Sequence, residues 1–149
     1  MRDGRGIVDR RALPSRLLAR AGDDVEGAAA LSRDVRGGAY GPGDLAFLAA
    51  RPGFALLAVE GRGFTIHGPD GRPAMLCPRD DEAAADLLWS ALAGGHPGAT
   101  VHVDFLSAGQ DWAVRTLLDA GLALSVEGPL FTRGELGPLR PFLPSGAFL

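Results

Sequence analysis

Apolar positions along the chain recur with two periods, and the changes between them mark its elements. Val25, Ala28, Ala29, Leu31 and Val35 keep close to a 3.6-residue spacing, which predicts a helix. Gly22-Asp-Asp precedes it and suits a helix start, since an Asp can cap and acids favour the positive end of the dipole. Gly37-Gly38 should stop it. Gly41-Pro-Gly-Asp44 should start a shorter helix, with Asp44 as cap, Leu45, Phe47 and Leu48 inside, and Pro52-Gly53 beyond its end. The period then changes. Phe54 to Val59 is an apolar run of strand length, and Phe64-Thr-Ile-His67 follows a Gly61-Arg-Gly63 turn. After the turn signal Gly68-Pro-Asp-Gly71 comes Pro73-Ala-Met-Leu-Cys77. These three runs predict an antiparallel meander.

Helical spacing returns from Asp80 to about Ala93, with Ala84, Leu87, Leu88, Ala91 and Leu92 on one stripe and Gly94-Gly95 as the stop. Thr100 to Leu106 alternates, so Val101, Val103 and Phe105 should face one way and His102, Asp104 and Leu106 the other. Gln110 to Ala120 reads as a helix with Trp112, Ala113, Leu117 and Leu118 inward and Gly121 just past its end. Leu122–Val126 and 130–133 read as a hairpin around Gly128-Pro129. Ser15 to Arg20 is a short candidate strand. Residues 1–14, charged and Gly-rich, read as a linker or tether. Residues 136–149, with three prolines, read as a tail packed irregularly on the domain formed by 15–135. The order β-α-α-β-β-β-α-β-α-β-β predicts an α/β domain with a mixed, mostly antiparallel sheet. The connection from 77 to 100 is long enough for a right-handed parallel crossover.

Composition narrows the chemistry. The net charge of −3 gives no electrostatic footprint for nucleic acid. All 15 basic residues are arginine, so Schiff-base chemistry on lysine is excluded. A single cysteine, Cys77, rules out an internal disulfide and any cysteine-based metal cluster. No apolar run approaches a membrane span, and Met1-Arg-Asp-Gly-Arg-Gly lacks the apolar region of a signal peptide. A cytoplasmic protein, binding neither membrane nor nucleic acid, is the expectation.

The candidate site is the strand–loop–helix junction around Met75-Leu-Cys-Pro-Arg-Asp-Asp-Glu-Ala-Ala84. Such a junction aims backbone N–H groups and a positive dipole end at an anion. Asp80, Asp81 and Glu82 stand where a phosphate favours glycine. The plainer reading is a well-capped helix, since acids in a first turn are good starters. Asp104 and His102, on one face of their strand, and Glu60, at the end of another, are candidate general bases; a hydrogen-bonded Asp and a solvent-facing His are the plain alternatives. His67 and His96 read as turn or strand-end residues, and the histidines show no metal-ligand spacing, so no metal is expected. Cys77, next to Leu76, reads as a small core residue. Trp89 and Trp112 read as packing anchors, or as interface residues if they face out.

The order and these residues resemble a GNAT-type acyl-CoA N-acyltransferase. More narrowly, Val8-Asp-Arg-Arg-Ala-Leu-Pro14, Ser32-Arg-Asp-Val-Arg-Gly-Gly38, Gln110-Asp-Trp-Ala113 and Phe142-Leu-Pro-Ser-Gly-Ala-Phe-Leu149 resemble the second half of the tandem GNAT proteins of high-GC actinobacteria. The resemblance implies acetyl-CoA held between diverging strands at 73–77 and 100–106, over Met75, Leu76, Cys77, Arg79, Ala83 and Ala84. The family's pyrophosphate signature is Arg/Gln-x-x-Gly-x-Gly/Ala; Arg79 and Ala84 match it, and Glu82 replaces the first Gly. Its usual tyrosine acid falls on Leu117, so no hydroxyl remains there. The only tyrosine, Tyr40, lies in the early loop on the family's acceptor side, and is more readily a packed loop aromatic. Two functions follow from the resemblance. One is acyl transfer to an unknown amine, with Asp104, Glu60 or Tyr40 as catalytic candidates. The other is a non-catalytic half that forms a homodimer or supports an N-terminal acetyltransferase domain. A small interaction module using the apolar tail is a third expectation.

Overall fold

The computed structural model describes residues 1–37, 40–129, 131, 133, 134 and 143. Its elements are β1 (Arg2–Ile7), β2 (Arg20–Ala21), α1 (Val25–Arg36), α2 (Pro42–Ala49), β3 (Ala55–Val59), β4 (Gly63–His67), β5 (Pro73–Pro78), α3 (Asp81–Gly94), β6 (Thr100–Leu106), α4 (Asp111–Asp119) and β7 (Ala123–Val126), with a 3-10 turn at Arg10–Ala12. The fold is mixed α/β, with two antiparallel sheets in the orders β2-β3-β4-β5 and β6-β1-β7.

The four-stranded sheet shows the alternation its sequence carries. Phe64, Ile66, Met75 and Cys77 face α1 and α2 and pack with Leu45, Leu48 and Ala29. Leu76 and Val59 face the other way, onto α3. Every residue on the apolar stripe of α3 is buried: Ala84, Leu87, Leu88, Ala91 and Leu92. Each leucine contributes about 1.5–3 kcal/mol by leaving water, which makes α3 the axis of the larger core. Trp89 and Trp112 are both packed into that core.

The N-terminal segment departs most from the pattern reading. Residues 2–7, expected within a tether, form the central strand of the second sheet, between β6 and β7. Its glycines are a packing requirement. A Cβ on Gly4 would lie 2.6 Å from Leu117 Cδ1, and one on Gly6 would lie 3.3 Å from Leu122 Cα. α4 and the start of β7 therefore lie flat against β1, and only a bare backbone fits. The rest of the segment is docked too. Asp9 N–H donates to Ala120 O at 2.8 Å, the Arg10 guanidinium donates to the carbonyls of Ala93 and Gly95 at the end of α3, and Asp86 of α3 accepts the N–H groups of Leu18 and Ala19 at 2.6 and 2.8 Å.

Other expectations shift for local reasons. The strand placed at 15–20 is only Arg20–Ala21. β5 and β6 belong to different sheets, so the long crossover joins two sheets rather than parallel neighbours. Asp44 does not itself cap α2; Gly41 does, and the Asp44 carboxylate reaches back to its N–H at 2.9 Å. Phe47 and Leu118, expected inside, are exposed, while His67, read as a turn or strand-end residue, ends β4 and is buried, with Nδ1 2.8 Å from Gly68 O. In β6 the alternation breaks at a bulge. Asp104 and Phe105 together oppose Asp3, and Phe105 has φ +62°. One extra residue reverses the phase of everything after it, so Leu106 rather than Phe105 joins Val101 and Val103 in the core. Residues 130 and 132 of the expected hairpin, and all of the 136–149 tail but Leu143, lie outside the described residues.

Candidate functional site

The junction ahead of α3 has the strand–loop–helix geometry its sequence predicts, and its own side chains fill it. Asp80 is the N-cap, extended in backbone, with its carboxylate accepting the N–H of Ala83 at 2.9 Å. Arg62, from the β3–β4 turn, donates to Asp80 and to Glu82, each at 2.7 Å. This guanidinium, with the Ala83 N–H second, holds the Asp80 carboxyl below its ordinary range. An anion arriving here would have to displace a carboxylate already bonded to the helix and tied to an arginine. A pyrophosphate does not fit this junction as it stands.

The other residues assigned to the cofactor have different surroundings. Met75, Leu76, Cys77, Ala83 and Ala84 are all in the core, so only their backbones could meet a ligand. On β5, Met75 O faces β4 and accepts from Thr65 Oγ1 at 2.8 Å, and Leu76 O, on the outer edge, accepts the N–H of Leu143 at 3.0 Å. The buried side chain of Leu143 packs in the α3 core. Arg79 donates to Asp34 of α1 at 3.1 Å and to Gly61 O at 3.2 Å. Burial pushes the Cys77 thiol up to about 12, against the lowering effects of Ser32 and Arg79. At pH 8 only about one thiol in ten thousand is then ionised, too few for a nucleophile. Iodoacetamide should leave Cys77 unlabelled in the folded protein at pH 8 and label it fully in denaturant. Rapid labelling of the folded chain, read by mass spectrometry, would show instead an accessible thiol.

Two places offer room or converging chemistry. The first is a cleft of about 590 Å³ between α1 and the β2–β3 edge, within the range of small-molecule sites. Leu31, Leu56 and Phe64 form its apolar wall; Asp24, Asp34, Glu60, Arg20 and Arg79 bring charge to it. Asp34 is paired with Arg79, and Asp24 accepts the Gly27 N–H at 2.8 Å. Glu60 has no ion pair or hydrogen bond among the described residues. It is the carboxylate left free for a ligand.

The second place is the β1–β6 seam. His102 Nε2 lies 3.3 Å from Asp3 Oδ2 and 3.2 Å from Asp104 Oδ1. Asp3 Oδ1 accepts the N–H of Phe105 at 3.2 Å, and Arg72 donates to the second oxygen of Asp104.

The three catalytic candidates thus occupy three settings. Glu60 lines the cleft, Asp104 belongs to the seam, and Tyr40 packs beside α1 and α2, where burial raises its pKa. Glu60 and Arg79 are brought together in the cleft, Asp104 and His102 in the seam, and Tyr40 packs in one cluster with Met75 and Cys77. Arg62 and Asp3 carried no signal in the sequence: one sits in a turn read only as a turn, the other in a segment read as a tether. Among the described residues no helix is long and apolar enough to cross a membrane. No family model, curated protein or solved structure gives a significant match to this chain.

Proposed function

We propose that this chain is a GNAT-like half that has given up acyl-CoA and serves as a non-catalytic partner of an acetyltransferase domain or of a second copy of itself. The GNAT part of the reading draws support from the run from β2 to β7, which follows the β-α-α-β-β-β-α-β-α-β order that the sequence predicts, without its last strand. The loss of catalysis is carried by one observation: the Asp80 carboxylate occupies the Ala83 amide, with Arg62 bridging it to Glu82. A pyrophosphate would meet these acids as like charges; two unit charges about 4 Å apart cost on the order of 1 kcal/mol in water and several times that near a protein surface. Leu143 adds to this by holding the Leu76 carbonyl on the β5 edge, where an acyl-CoA arm would need it. A supporting role also accords with apolar side chains left at the surface, Phe47, Val126 and Phe131 among them.

The test is a calorimetric titration of the chain with acetyl-CoA. No saturable heat is expected up to about 1 mM. The double variant Asp80→Ser, Glu82→Gly keeps a capping side chain and should gain measurable binding. A Kd tighter than about 100 µM for the native chain overturns the reading.

A second reading, acyl transfer to a small amine, is favoured by the unpaired Glu60 carboxylate at the rim of the cleft. Incubation with acetyl-CoA and a panel of primary amines should yield an N-acetylated product under this reading. Its absence, together with silent calorimetry, disposes of it.

A further inference from the structure

We infer that Asp3, His102 and Asp104 form a binding site for one divalent transition-metal ion of zinc's size. The inference is independent of the GNAT reading. It begins with backbone placement: β1 runs beside β6, and the β6 bulge sets Asp104 and Phe105 together opposite Asp3. The Phe105 N–H turns onto Asp3 Oδ1, which leaves Asp3 Oδ2 facing the imidazole. Arg72 holds the outer oxygen of Asp104, which leaves Asp104 Oδ1 on the same imidazole nitrogen. The arrangement brings an acid from residue 3 to a histidine and an acid from the far half of the chain.

Proton counting argues that these three groups lack a member. A neutral imidazole Nε2 carries at most one proton. Here two carboxylate oxygens face that one nitrogen, at 3.3 and 3.2 Å, and only the contact with Asp3 has hydrogen-bond geometry. Among the described residues Asp104 Oδ1 has no donor, although the side chains of Asp3 and Asp104 are only 12% and 16% exposed. Among the described residues Arg72 is the one arginine paired with this group, and it reaches only Asp104.

The distances suit an ion. Zinc bound to nitrogen and carboxylate oxygen at about 2.0–2.1 Å places neighbouring ligand atoms of a tetrahedron about 3.3–3.4 Å apart, against the observed 3.3 and 3.2 Å. The three ligand atoms all lie within 4.8 Å of one another. A point equidistant from them is therefore at most about 2.4 Å from each, close to a bond length. The ligand set is one imidazole and two carboxylates, borderline to hard, which selects a divalent first-row ion rather than a soft one. Arg72 and the Phe105 N–H act as positioning groups, each holding the oxygen that the ion does not take. Three protein ligands leave a fourth position for water.

The experiment uses the full chain, freed of metal with a chelator and then titrated with Co²⁺ and with Zn²⁺. The visible d–d bands of cobalt, calorimetric heat and melting temperature are followed together. One equivalent should bind with a Kd at or below about 10 µM, with tetrahedral cobalt bands and a raised melting temperature. His102→Gln, at a half-exposed position, should fold normally and weaken binding at least tenfold. Arg72→Gln should weaken it by about tenfold through loss of carboxylate orientation. His96→Gln, at an exposed position away from the seam, should leave binding unchanged. Absence of saturable binding below about 1 mM overturns the site. So does binding by His102→Gln equal to that of the native chain.

Discussion

Deleting residues 1–7 is expected to abolish cooperative folding of the chain. β1 is the only described neighbour of both β6 and β7 in their sheet. Without it, the backbone groups of Val101, Val103 and Leu124 lose their ladder partners, and Leu117 and Leu122 lose the glycine backbone they lie against. Each buried backbone group left unpaired costs about 1–3 kcal/mol. A few such losses equal the roughly 5–15 kcal/mol by which a domain is stable at all. The truncated protein should show no sharp thermal transition, or one lowered by more than about 15 °C. A synthetic peptide of residues 1–8 added in trans should restore part of the lost transition. A truncated chain melting within a few degrees of the intact one would mean that residues 1–7 are the tether their composition suggests.

The second large effect is expected at Gly95. The residue follows α3 with φ −69° and ψ 155°, a conformation open to any amino acid. Its constraint is space: a Cβ there would lie 2.4 Å from Asp70 O, 2.5 Å from Asp70 C and 2.7 Å from Gly71 N. All three are backbone atoms of a tight turn, so no rotamer change relieves the clash. Gly95→Ala should cost about 3 kcal/mol, at the upper end of overpacking penalties, and lower the melting temperature by roughly 10 °C. Gly43→Ala is the control. It lies in α2 with open space around its Cβ position, and should be neutral or stabilising by about 0.5–1 kcal/mol. Equal melting temperatures for Gly95→Ala and the native chain would mean that the Asp70 turn can move aside.

Gly95 also separates what is legible from what is not. Gly94-Gly95 reads correctly as the end of α3, because helix stops are written within a few residues. The same pair is also a contact surface: a Cβ on Gly94 would lie 2.6 Å from the His67 ring. That pairing joins residues 27 positions apart and leaves no local trace. The site divides the same way. Asp80 as a cap is visible in the sequence, since the capped amide is Ala83, three residues on. Arg62 closing the junction is not, because a turn arginine looks like any solvated charge until the meander brings it to α3. The cleft is half visible: Glu60 stands out as an acid at a strand end and Arg79 through the signature it matches, whereas the α1 wall that makes them a site does not.

The sequence by itself determined α1, α3, α4 and the β3–β4–β5 meander, along with the caps and stops that bound them. Periodicity, capping and turn chemistry act over two to five residues, and each of these elements buries a stripe that such periods describe. Tertiary structure alone decided that Arg2–Ile7 is a central strand, that a bulge reverses the phase of β6, and that Asp3 meets His102 and Asp104. A strand rich in glycine and charge has no apolar alternation to read. Its identity comes from two neighbours about a hundred residues away, which supply its hydrogen bonds and require the flatness of its backbone.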